Sequence, residues 1–378
     1  MMQFLRRAGS CMALGMMSTA AHADYAINLP PPRSPIAVQV YDLHNLILWI
    51  CVVIFVAVFG VMFYSIYKHR KSLGHEAAHF HENTAVEVTW TIVPVIILVA
   101  MAWPATSTMI EMRDTPNSDM TVKVTASQWK WEYEYPDHGI KFTSNLATTQ
   151  DQINGKAEKG EHYLLEVDNP MVVPIGKKVR VVMTSQDVIH SWWVPELGIK
   201  QDTIPGFVKD GWFSVDKPGT YRGQCAELCG KAHAYMPVVV EAKTEADYQQ
   251  WLTSQKEQNA AAAAGADKEW TKEDLVARGQ EVYGKNCAVC HQANGQGLPP
   301  AFPALTGSKV VQAPNMDADG KLIPDSHLDI VLNGKNAMPP WKDTLNDVDI
   351  AAVVTYERNA LGNSVGDVIQ PSQVKALR

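Results

Sequence analysis

The stretch Gly223-Gln-Cys-Ala-Glu-Leu-Cys-Gly-Lys-Ala-His-Ala-Tyr-Met-Pro237 places two thiols, an imidazole and a thioether close together in the chain. The soft donors are Cys225, Cys229 and Met236, and His233 lies between them. Thiolate and thioether sulfur suit copper, whereas zinc sites use cysteine, histidine and carboxylates. The cysteine pair alone could equally hold a structural zinc or form a disulfide. The added histidine and methionine favour copper, and a redox metal implies electron transfer.

A second imidazole is available at His190, in the stretch Asp187-Val-Ile-His-Ser-Trp-Trp-Val-Pro195. Together the two stretches resemble the dinuclear copper (CuA) site of subunit II of the haem-copper cytochrome c oxidases. The resemblance implies two bridging thiolates, one copper for each histidine, a methionine ligand and a backbone carbonyl from the central glutamate. It also implies that the carboxylate of that glutamate binds magnesium at the interface with subunit I, where the alternative is a solvated side chain. The implied copper ligands are His190, Cys225, Glu227, Cys229, His233 and Met236.

Length and composition limit the number of domains and the kinds of partner that the chain can have. A chain of 378 residues has room for about two or three domains. Its formal net charge is −7, and it has no basic stretch studded with aromatic residues, which argues against a nucleic-acid partner. Four of its six cysteines form two close pairs next to histidine, a pattern typical of metal or haem attachment rather than of a disulfide framework.

The N-terminal part predicts an exported protein with a membrane anchor. Residues 1–23 read as a cleaved signal peptide, with an uncleaved anchor as the alternative. Residues 24–117 contain two apolar runs, predicted as transmembrane helices at about 43–67 and 86–110. The basic group Lys68-His-Arg-Lys71 places the loop between them in the cytoplasm and both flanks in the periplasm. The histidines of this loop could bind metal, but a solvated loop is the favoured interpretation; they are His75, His79 and His81.

Glu87 stands at the cytoplasmic end of the second predicted span, in Glu87-Val-Thr-Trp-Thr-Ile-Val-Pro94. An acidic residue at that depth commonly reaches the interface with water. The run resembles the Glu-x-x-Trp-Thr-x-x-Pro signature of the same oxidase family. The resemblance implies that Glu87 lies at the mouth of a proton-uptake path into subunit I.

Within a domain predicted at residues 118–253, the chain changes between Asp119 and Ala242 to short β-type runs separated by Gly, Pro and Asp, which predicts an all-β sandwich or barrel. Glu245–Leu252 is expected to form a short closing helix. The predicted strands include Met120–Thr125, Tyr163–Val167, Lys178–Met183 and Val238–Val240. The family resemblance makes this a cupredoxin domain. Aromatic and polar residues alternate from Gln128 to Tyr135, so four aromatic side chains are expected on one face of a strand. The resemblance implies that the first of them, Trp129, is the electron-entry residue, where plain core packing is the alternative.

The C-terminal part predicts a second cofactor domain. An Ala-rich stretch at residues 254–268 reads as a low-complexity linker. In the domain predicted at 269–365, Cys287-Ala-Val-Cys-His291 has the c-type haem attachment pattern: two thiols for the vinyl groups and an imidazole for the iron. Helix caps around Thr271 and Asn346 fit a small all-α class I cytochrome c. Residues 366–378 are expected to be a tail.

The sixth haem ligand is expected to be a methionine, which raises the reduction potential relative to histidine ligation. Met338, in Asn336-Ala-Met-Pro-Pro-Trp341, resembles the Met-Pro ligand loop of the cytochromes. Met316, in an Asp-rich loop, is the rival.

These features together resemble subunit II of a caa-type oxidase, a multidomain membrane protein with a two-helix hairpin. The resemblance implies electron transfer from haem c to CuA and on to the haem-copper site of subunit I, coupled to proton translocation. It implies partners in subunits I and III, a cytochrome c or another periplasmic electron donor, and the bacterial inner membrane. A CuA subunit of a haem-copper nitric oxide reductase is the nearest alternative. A quinol oxidase subunit would lack the copper ligands, and a copper-delivery or electron-shuttle protein seldom needs this combination of parts.

Overall fold

The computed structural model describes residues 28–76 and 81–378, and residues from Pro32 onward form one compact unit. The predicted signal peptide and His79 lie outside the described residues. The described part has the three predicted kinds of structure: two long apolar helices, an all-β domain and an all-α domain. The predicted fold class is therefore confirmed.

Two helices form the hairpin, α1 over Pro35–Lys68 and α2 over Thr84–Met112. Both are long and apolar enough to cross a bilayer, and both extend beyond the predicted spans at each end. Ser34 and Asn83 cap their first turns, each accepting a backbone N–H with its side chain. Pro94 and Pro104 are accommodated within α2, as membrane helices allow.

The β domain holds the hairpin at one end. The Ser34 hydroxyl donates to the Leu197 carbonyl at 2.7 Å, next to the start of α1. The Trp212 indole donates to the Glu111 carbonyl at 2.9 Å, in the last turn of α2. The start of α1 and the end of α2 therefore lie on the side of the β domain, and the basic loop between the helices lies at the opposite end.

The strands of the β domain are β1 Met120–Ser127, β2 Lys130–Tyr135, β3 Ile140–Ser144, β4 Met171–Pro174, β5 Val179–Ser185, β6 His190–Val194, β7 Ile199–Thr203, β8 Lys209–Phe213, β9 Gly219–Cys225 and β10 Pro237–Lys243. They form two five-stranded sheets, with strand orders β3-β2-β1-β5-β8 and β4-β10-β9-β6-β7. A one-turn helix, α3 (Gln150–Ile153), lies between β3 and β4. Alternate residues of β1 and β2 meet in the core, as in the pairs Val124 with Tyr133 and Ala126 with Trp131.

Two predictions for this domain were wrong. Tyr163–Val167 is not a strand: its chain turns, Leu164 has a φ of 64°, and only an isolated bridge joins Leu146 to Val167. A left-handed residue cannot continue an extended ladder. Trp129 lies just outside β2, so three of the four aromatic residues share the strand, not all four.

The predicted linker is helical. Helix α4 runs without a break over Glu245–Gly265, from the end of the β domain through the alanine run. Alanine has the highest helix propensity, so the low-complexity composition that indicated a tether also favours a helix.

The C-terminal domain is built from six helices in the described residues: α5 Lys272–Asn286, α6 Ala288–His291, α7 Lys309–Gln312, α8 His327–Asn333, α9 Asp347–Asn359 and α10 Pro371–Lys375. Thr271 and Asn346 cap α5 and α9 as expected. Helices α5 and α9 cross closely at Gly279, where an added Cβ would lie 2.1 Å from the Ala352 carbonyl oxygen. The stretch expected as a tail packs instead, because Ile369 and Val374 are buried in the core of this domain.

Candidate copper and haem centres

Strand pairing assembles the copper site from two distant parts of the chain. His190 begins β6, Cys225 ends β9, and the two strands pair through Trp192 and Cys225. The loop that follows Cys225 returns to β10, and the Cys225 N–H donates to the Met236 carbonyl at 3.3 Å. This register brings the imidazole to the thiol loop.

The sulfur and nitrogen atoms of the predicted ligands converge in a small volume. Cys225 Sγ lies 3.8 Å from Cys229 Sγ, and His190 Nδ1 lies 4.0 Å from Cys225 Sγ. Cys229 Sγ is 3.5 Å from both His233 Nδ1 and Met236 Sδ. The Glu227 carbonyl oxygen is 3.4 Å from Cys225 Sγ. All six predicted copper ligands are therefore brought together.

Asp187 orients the imidazole of His190, and sequence reasoning did not assign it a role. His190 Nε2 donates to Asp187 Oδ1 at 2.9 Å, which leaves Nδ1 directed to the sulfur atoms. Burial alone would lower the pKa of His190, but hydrogen bonds with Asp187 and Cys225 raise it overall. Backbone N–H groups of Gln128 and Val188 also donate to Asp187, so the carboxylate is itself held in place.

The contact between the two thiols shifts their pKa values in opposite directions. A hydrogen bond from Cys229 lowers the pKa of Cys225 strongly, and His190 acts in the same direction. The same hydrogen bond, together with burial, raises the pKa of Cys229. Cysteine must lose its proton to bind a metal. A buried pair in which one thiol already has a lowered pKa therefore suits a metal bridged by two thiolates.

Two tryptophans at the start of β2, Trp129 just before it and Trp131 within it, contact residues 225–236, which we call the copper loop. The Trp129 indole N–H donates to the Cys229 carbonyl at 3.2 Å, and the Gln128 side-chain amide donates to the same oxygen at 2.8 Å. The Trp131 indole donates to the Met236 carbonyl at 3.2 Å. The carbonyl oxygens of two predicted ligand residues are thus fixed by buried donors.

The residues fit a copper centre by the chemistry of their donors. In the described part of the chain, His190, Cys225 and Cys229 are the one cluster of histidine, cysteine and acidic residues close enough to share a metal ion. All three are buried, and a thioether supplements them. The Glu227 side chain is exposed, and no second acidic group joins it to form a magnesium site within the described residues.

The candidate haem site is a cavity of about 520 Å³, lined mainly by residues of the C-terminal domain. Its walls include both thiols of the attachment pattern, the adjacent imidazole and the preferred methionine: Cys287, Cys290, His291 and Met338. Met316, the rival ligand, is not among the lining residues; it contacts Gln373. The geometry brings the four predicted haem residues together and leaves the rival outside.

His291 is oriented for metal binding. Its Nδ1 donates to the Pro303 carbonyl at 2.9 Å, which leaves Nε2 free for iron. Both cysteines are free thiols, and burial raises the pKa of each. The pair therefore fits haem attachment, since the thiols are available to form thioether bonds.

Several polar and aromatic residues around this cavity were not predicted. His327 and Glu357 line it as a buried pair, with His327 Nε2 2.6 Å from Glu357 Oε2. Gln128 reaches the cavity from the β domain, and Trp341 faces Lys130 of β2. No local pattern signals these residues, because they become neighbours only when separate helices and domains meet.

Glu87 lies in the first turn of α2, at the end remote from the β domain. Its carboxylate accepts the Asn83 N–H at 3.4 Å, closing the first turn of the helix. A capping role is thus evident, and its role in proton uptake stays a prediction.

Known proteins match nearly every part of the chain. Models of cytochrome c oxidase subunit II match at residues 22–107 for its transmembrane domain and 120–243 for its periplasmic domain. The model of cbb3-type cytochrome c oxidase subunit III matches residues 274–356.

Individual relatives agree with these matches. Cytochrome c oxidase subunit 2 of Cereibacter sphaeroides is 39% identical over 235 residues, covering 59% of this chain and 78% of the relative. Probable cytochrome c oxidase subunit 2 of Rickettsia bellii (strain RML369-C) is 35% identical over 269 residues, covering 70% and 97% respectively. The periplasmic domain of subunit II of cytochrome oxidase from Bradyrhizobium japonicum, a crystal structure, is 40% identical and covers 38% of this chain and 98% of that one, with a TM-score of 0.35.

The fold and the two donor sets define a membrane-anchored electron-transfer protein. The matches then make the assignment specific, because they span the anchor and the copper domain at substantial identity. The chain belongs to the cytochrome c oxidase subunit II family and carries a fused cytochrome c domain. Family membership implies a CuA site in the β domain and haem c in the C-terminal domain.

Proposed function

We propose that this chain is the electron-entry subunit of a caa-type oxidase that reduces oxygen and translocates protons. When bound, haem c and the copper pair supply reversible one-electron chemistry. The residues of the chain would hold these groups, with Asp187 and the Pro303 carbonyl fixing the orientation of the His190 and His291 imidazoles. The assigned copper ligands are His190, Cys225, Glu227, Cys229, His233 and Met236, and the assigned haem residues are Cys287, Cys290, His291 and Met338.

The position of Trp129 carries this proposal. Its indole N–H is bonded to the Cys229 carbonyl in the copper loop. On its other side, its ring lies 6.4 Å from that of Phe302, which lines the haem cavity. A conjugated ring that contacts both sites supports the assignment of Trp129 as the electron-entry residue.

The proposal also assigns Glu87 to proton uptake and the Glu227 side chain to magnesium binding. Glu87 lies at the end of α2 remote from the β domain, where a path from the cytoplasm into subunit I would start. The Glu227 side chain is exposed, so it could complete a magnesium site with groups from subunit I. Both roles depend on the partner subunit.

The setting we propose is the bacterial inner membrane, with the copper and cytochrome domains on the periplasmic side. Two apolar helices with exposed side chains need lipid or partner helices around them, which subunits I and III would provide. A periplasmic cytochrome c, soluble or membrane-bound, or another donor would supply the electrons.

Purification of the complex from the membrane tests the proposal. We expect a seven-line copper hyperfine pattern from one electron shared by two coppers, a covalently attached haem, and consumption of oxygen. A single-copper signal would defeat the CuA assignment. Consumption of nitric oxide without oxygen would assign the chain to a nitric oxide reductase, which the named relatives do not favour.

A further inference from the structure

A buried imidazole and a buried carboxylate meet at the wall of the haem cavity, and the proposed function gives them no role. His327 begins α8 and is 4% exposed, and Glu357 lies in the last turn of α9 and is 3% exposed. His327 Nε2 lies 2.6 Å from Glu357 Oε2, and both residues line the cavity. We call these two residues the acid–base pair.

The carboxylate of the acid–base pair lacks a permanent counter-charge. Within the described residues, no lysine or arginine forms an ion pair with Glu357. The neighbouring Arg358 is engaged elsewhere, because its guanidinium donates to Asp367 and to the Ala313 carbonyl. Burying a carboxylate without a cation is costly, and the carbonyl end of a helix also disfavours a negative charge. These costs favour an additional proton on the pair.

His327 Nδ1 is the atom that can take this proton. It is buried and has no hydrogen-bond partner among the residues that the structure describes. When the pair holds one proton, Nε2 donates to Oε2, Nδ1 carries a lone pair, and the pair has one negative charge in total. A second proton neutralises the pair, but it leaves a buried N–H without a partner. The two costs oppose each other, so a change of charge nearby can decide between the two states.

The iron of an attached haem would supply such a change of charge. Ferric haem carries one more positive charge than ferrous haem, and charges in buried surroundings interact more strongly than in water. The oxidised domain therefore favours the anionic form of the acid–base pair. Reduction removes this attraction and favours the neutral form.

We propose that the acid–base pair is a redox-linked proton-binding site, in which His327 Nδ1 takes one proton from solvent when the haem takes one electron from its donor. One electron and one proton enter the domain together, so its total charge is unchanged. The bond formed is Nδ1–H, no bond within the chain breaks, and the proton returns to solvent when the electron leaves. The inference goes beyond the proposed function and rests on it only for the attached haem.

Most other titratable groups around the pair keep one charge state. Burial raises the pKa of Tyr283 on α5 and of Tyr356 on α9, so both hydroxyls remain protonated. Cys287 lies close to Glu357, but it carries no proton once it is bonded to the haem. His291, which also lines the cavity, is the assigned iron ligand.

Two lysines also lie at this cavity. Lys335 lines it and forms an ion pair with Asp325 at 2.9 Å. Lys130 packs on the ring of Trp341, another lining residue, and burial lowers the pKa of Lys130 to about 7. Lys130 is therefore the rival group, and a separate variant has to test it.

Redox titration of the haem absorption band, in the full chain in detergent loaded with haem and copper, tests the site. In the wild type the haem reduction potential should fall as the pH rises. The redox equilibrium constant should change by about three- to tenfold per pH unit over at least one unit between about pH 5 and 9, where tenfold is about 59 mV.

Glu357→Gln should reduce this dependence to less than about twofold per pH unit, because a buried imidazolium without its carboxylate is costly. Asp343→Asn is the matched control, since it removes an exposed carboxylate of the same domain that does not line the cavity; it should keep the wild-type slope. If Glu357→Gln does not retain its haem, His327→Leu combined with Glu357→Leu removes both partners, leaves neither unpaired, and should give the same flat profile.

Proton uptake gives a second measurement on the same samples. In weakly buffered solution with a pH indicator, full reduction should take up as much as about one proton more per haem in the wild type than in Glu357→Gln. The comparison between the two chains cancels protons taken up at the copper site, which is the same in both.

The outcomes separate the two proposals. A flat wild-type profile, or a slope that persists in the variants of the acid–base pair, would overturn the proton-binding site and leave the proposed function intact. A slope that persists in those variants and disappears in Lys130→Met would overturn it by assigning the proton to Lys130. A wild-type chain without attached haem would contradict the proposed function itself.

Discussion

At the scale of single residues, Asp187 has the largest consequence for the copper site among the unpredicted groups. It fixes the tautomer of His190 by accepting from Nε2. Asp187→Ala should weaken copper binding by about 10- to 100-fold, the usual effect of losing an outer partner of a metal ligand. Copper titration followed by the CuA absorption bands measures this, with Asp216→Ala, an exposed site before β9, as the control. Equal copper affinities for Asp187→Ala and Asp216→Ala would show that Asp187 has no role in copper binding.

Met338 is the second residue with a clear test. Replacing this residue with histidine should lower the haem reduction potential by a sizeable part of the roughly 0.8 V range that axial ligands span. The same change at Met316, which does not line the cavity, should leave the potential unaltered. Spectroelectrochemical titration of both variants gives the comparison. The reverse result would transfer the ligand role to Met316.

Lys130, which packs against Trp341, makes the contact between the β domain and the cytochrome domain sensitive to pH. Burial lowers the pKa of Lys130 to about 7 from the usual 10.5, although the nearby carboxylates of Glu132 and Asp187 oppose the shift. The closed contact thus holds this proton less tightly than an open one would. Between about pH 7 and 10 the open form binds one more proton, so raising the pH should increase the closed-to-open ratio by up to about tenfold per unit.

Below pH 7 both forms are protonated, and the dependence should disappear. Protection factors of residues 128–131, which correct for the pH dependence of exchange itself, report the ratio. Lys130→Met removes the titrating group and should give a flat profile. A rise with pH that persists in this variant would show that another group is responsible.

At the scale of elements, the crossing of α5 and α9 supports the haem cavity. An added Cβ at Gly279 would lie 2.5 Å from the Tyr356 Cβ, as well as against the Ala352 carbonyl, and neither can move without shifting α9. Gly279→Ala should destabilise the cytochrome domain by about 1–3 kcal/mol through overpacking. Gly284, on the same helix, has nothing within 4 Å of an added Cβ, so Gly284→Ala should stabilise by about 0.5–1 kcal/mol.

Denaturant unfolding followed at the haem absorption band measures both variants against wild type. Opposite signs for the two substitutions would identify the crossing as the cause, because helix propensity alone favours alanine at both positions. If Gly279→Ala made the cytochrome domain more stable to unfolding, α5 and α9 would be able to move apart at no cost.

The elements also show which features a sequence can predict. The spacing from Cys225 to Met236 lies within one loop, so its ligands were predicted from residue types and family resemblance. His190 could be named by resemblance, but its contact with Cys225 depends on the pairing of β6 with β9. The start of helix α4 was predicted, but its continuation through the alanine run was missed because composition was weighed above the helix propensity of alanine. Lys130 and Trp341 carry no local signal, since their contact exists only between folded domains.

At the scale of the whole molecule, the cytochrome domain lies against the proposed electron-entry residue. The Trp129 indole N–H donates to the Cys229 carbonyl, and Phe302 of the cytochrome domain packs against the Trp129 ring, which leaves Trp129 only 8% exposed. Under the proposed function, a soluble donor would therefore reduce the haem before the copper. This differs from a chain whose copper domain stands alone, where a donor could approach the tryptophan directly.

Stopped-flow mixing of the oxidised full chain with a reduced soluble cytochrome c tests this order. We expect the haem band of the chain to be reduced first and the copper band to follow at a rate independent of donor concentration, because the second transfer takes place within one molecule. Lys130→Glu would place a carboxylate against the Trp341 ring and so weaken the contact between the two domains. It should therefore slow the copper phase and leave the haem phase near its wild-type rate. Copper reduction that precedes haem reduction, or that rises in proportion to donor concentration in the wild type, would mean that the donor reaches Trp129 itself and that the cytochrome domain does not cover it in solution.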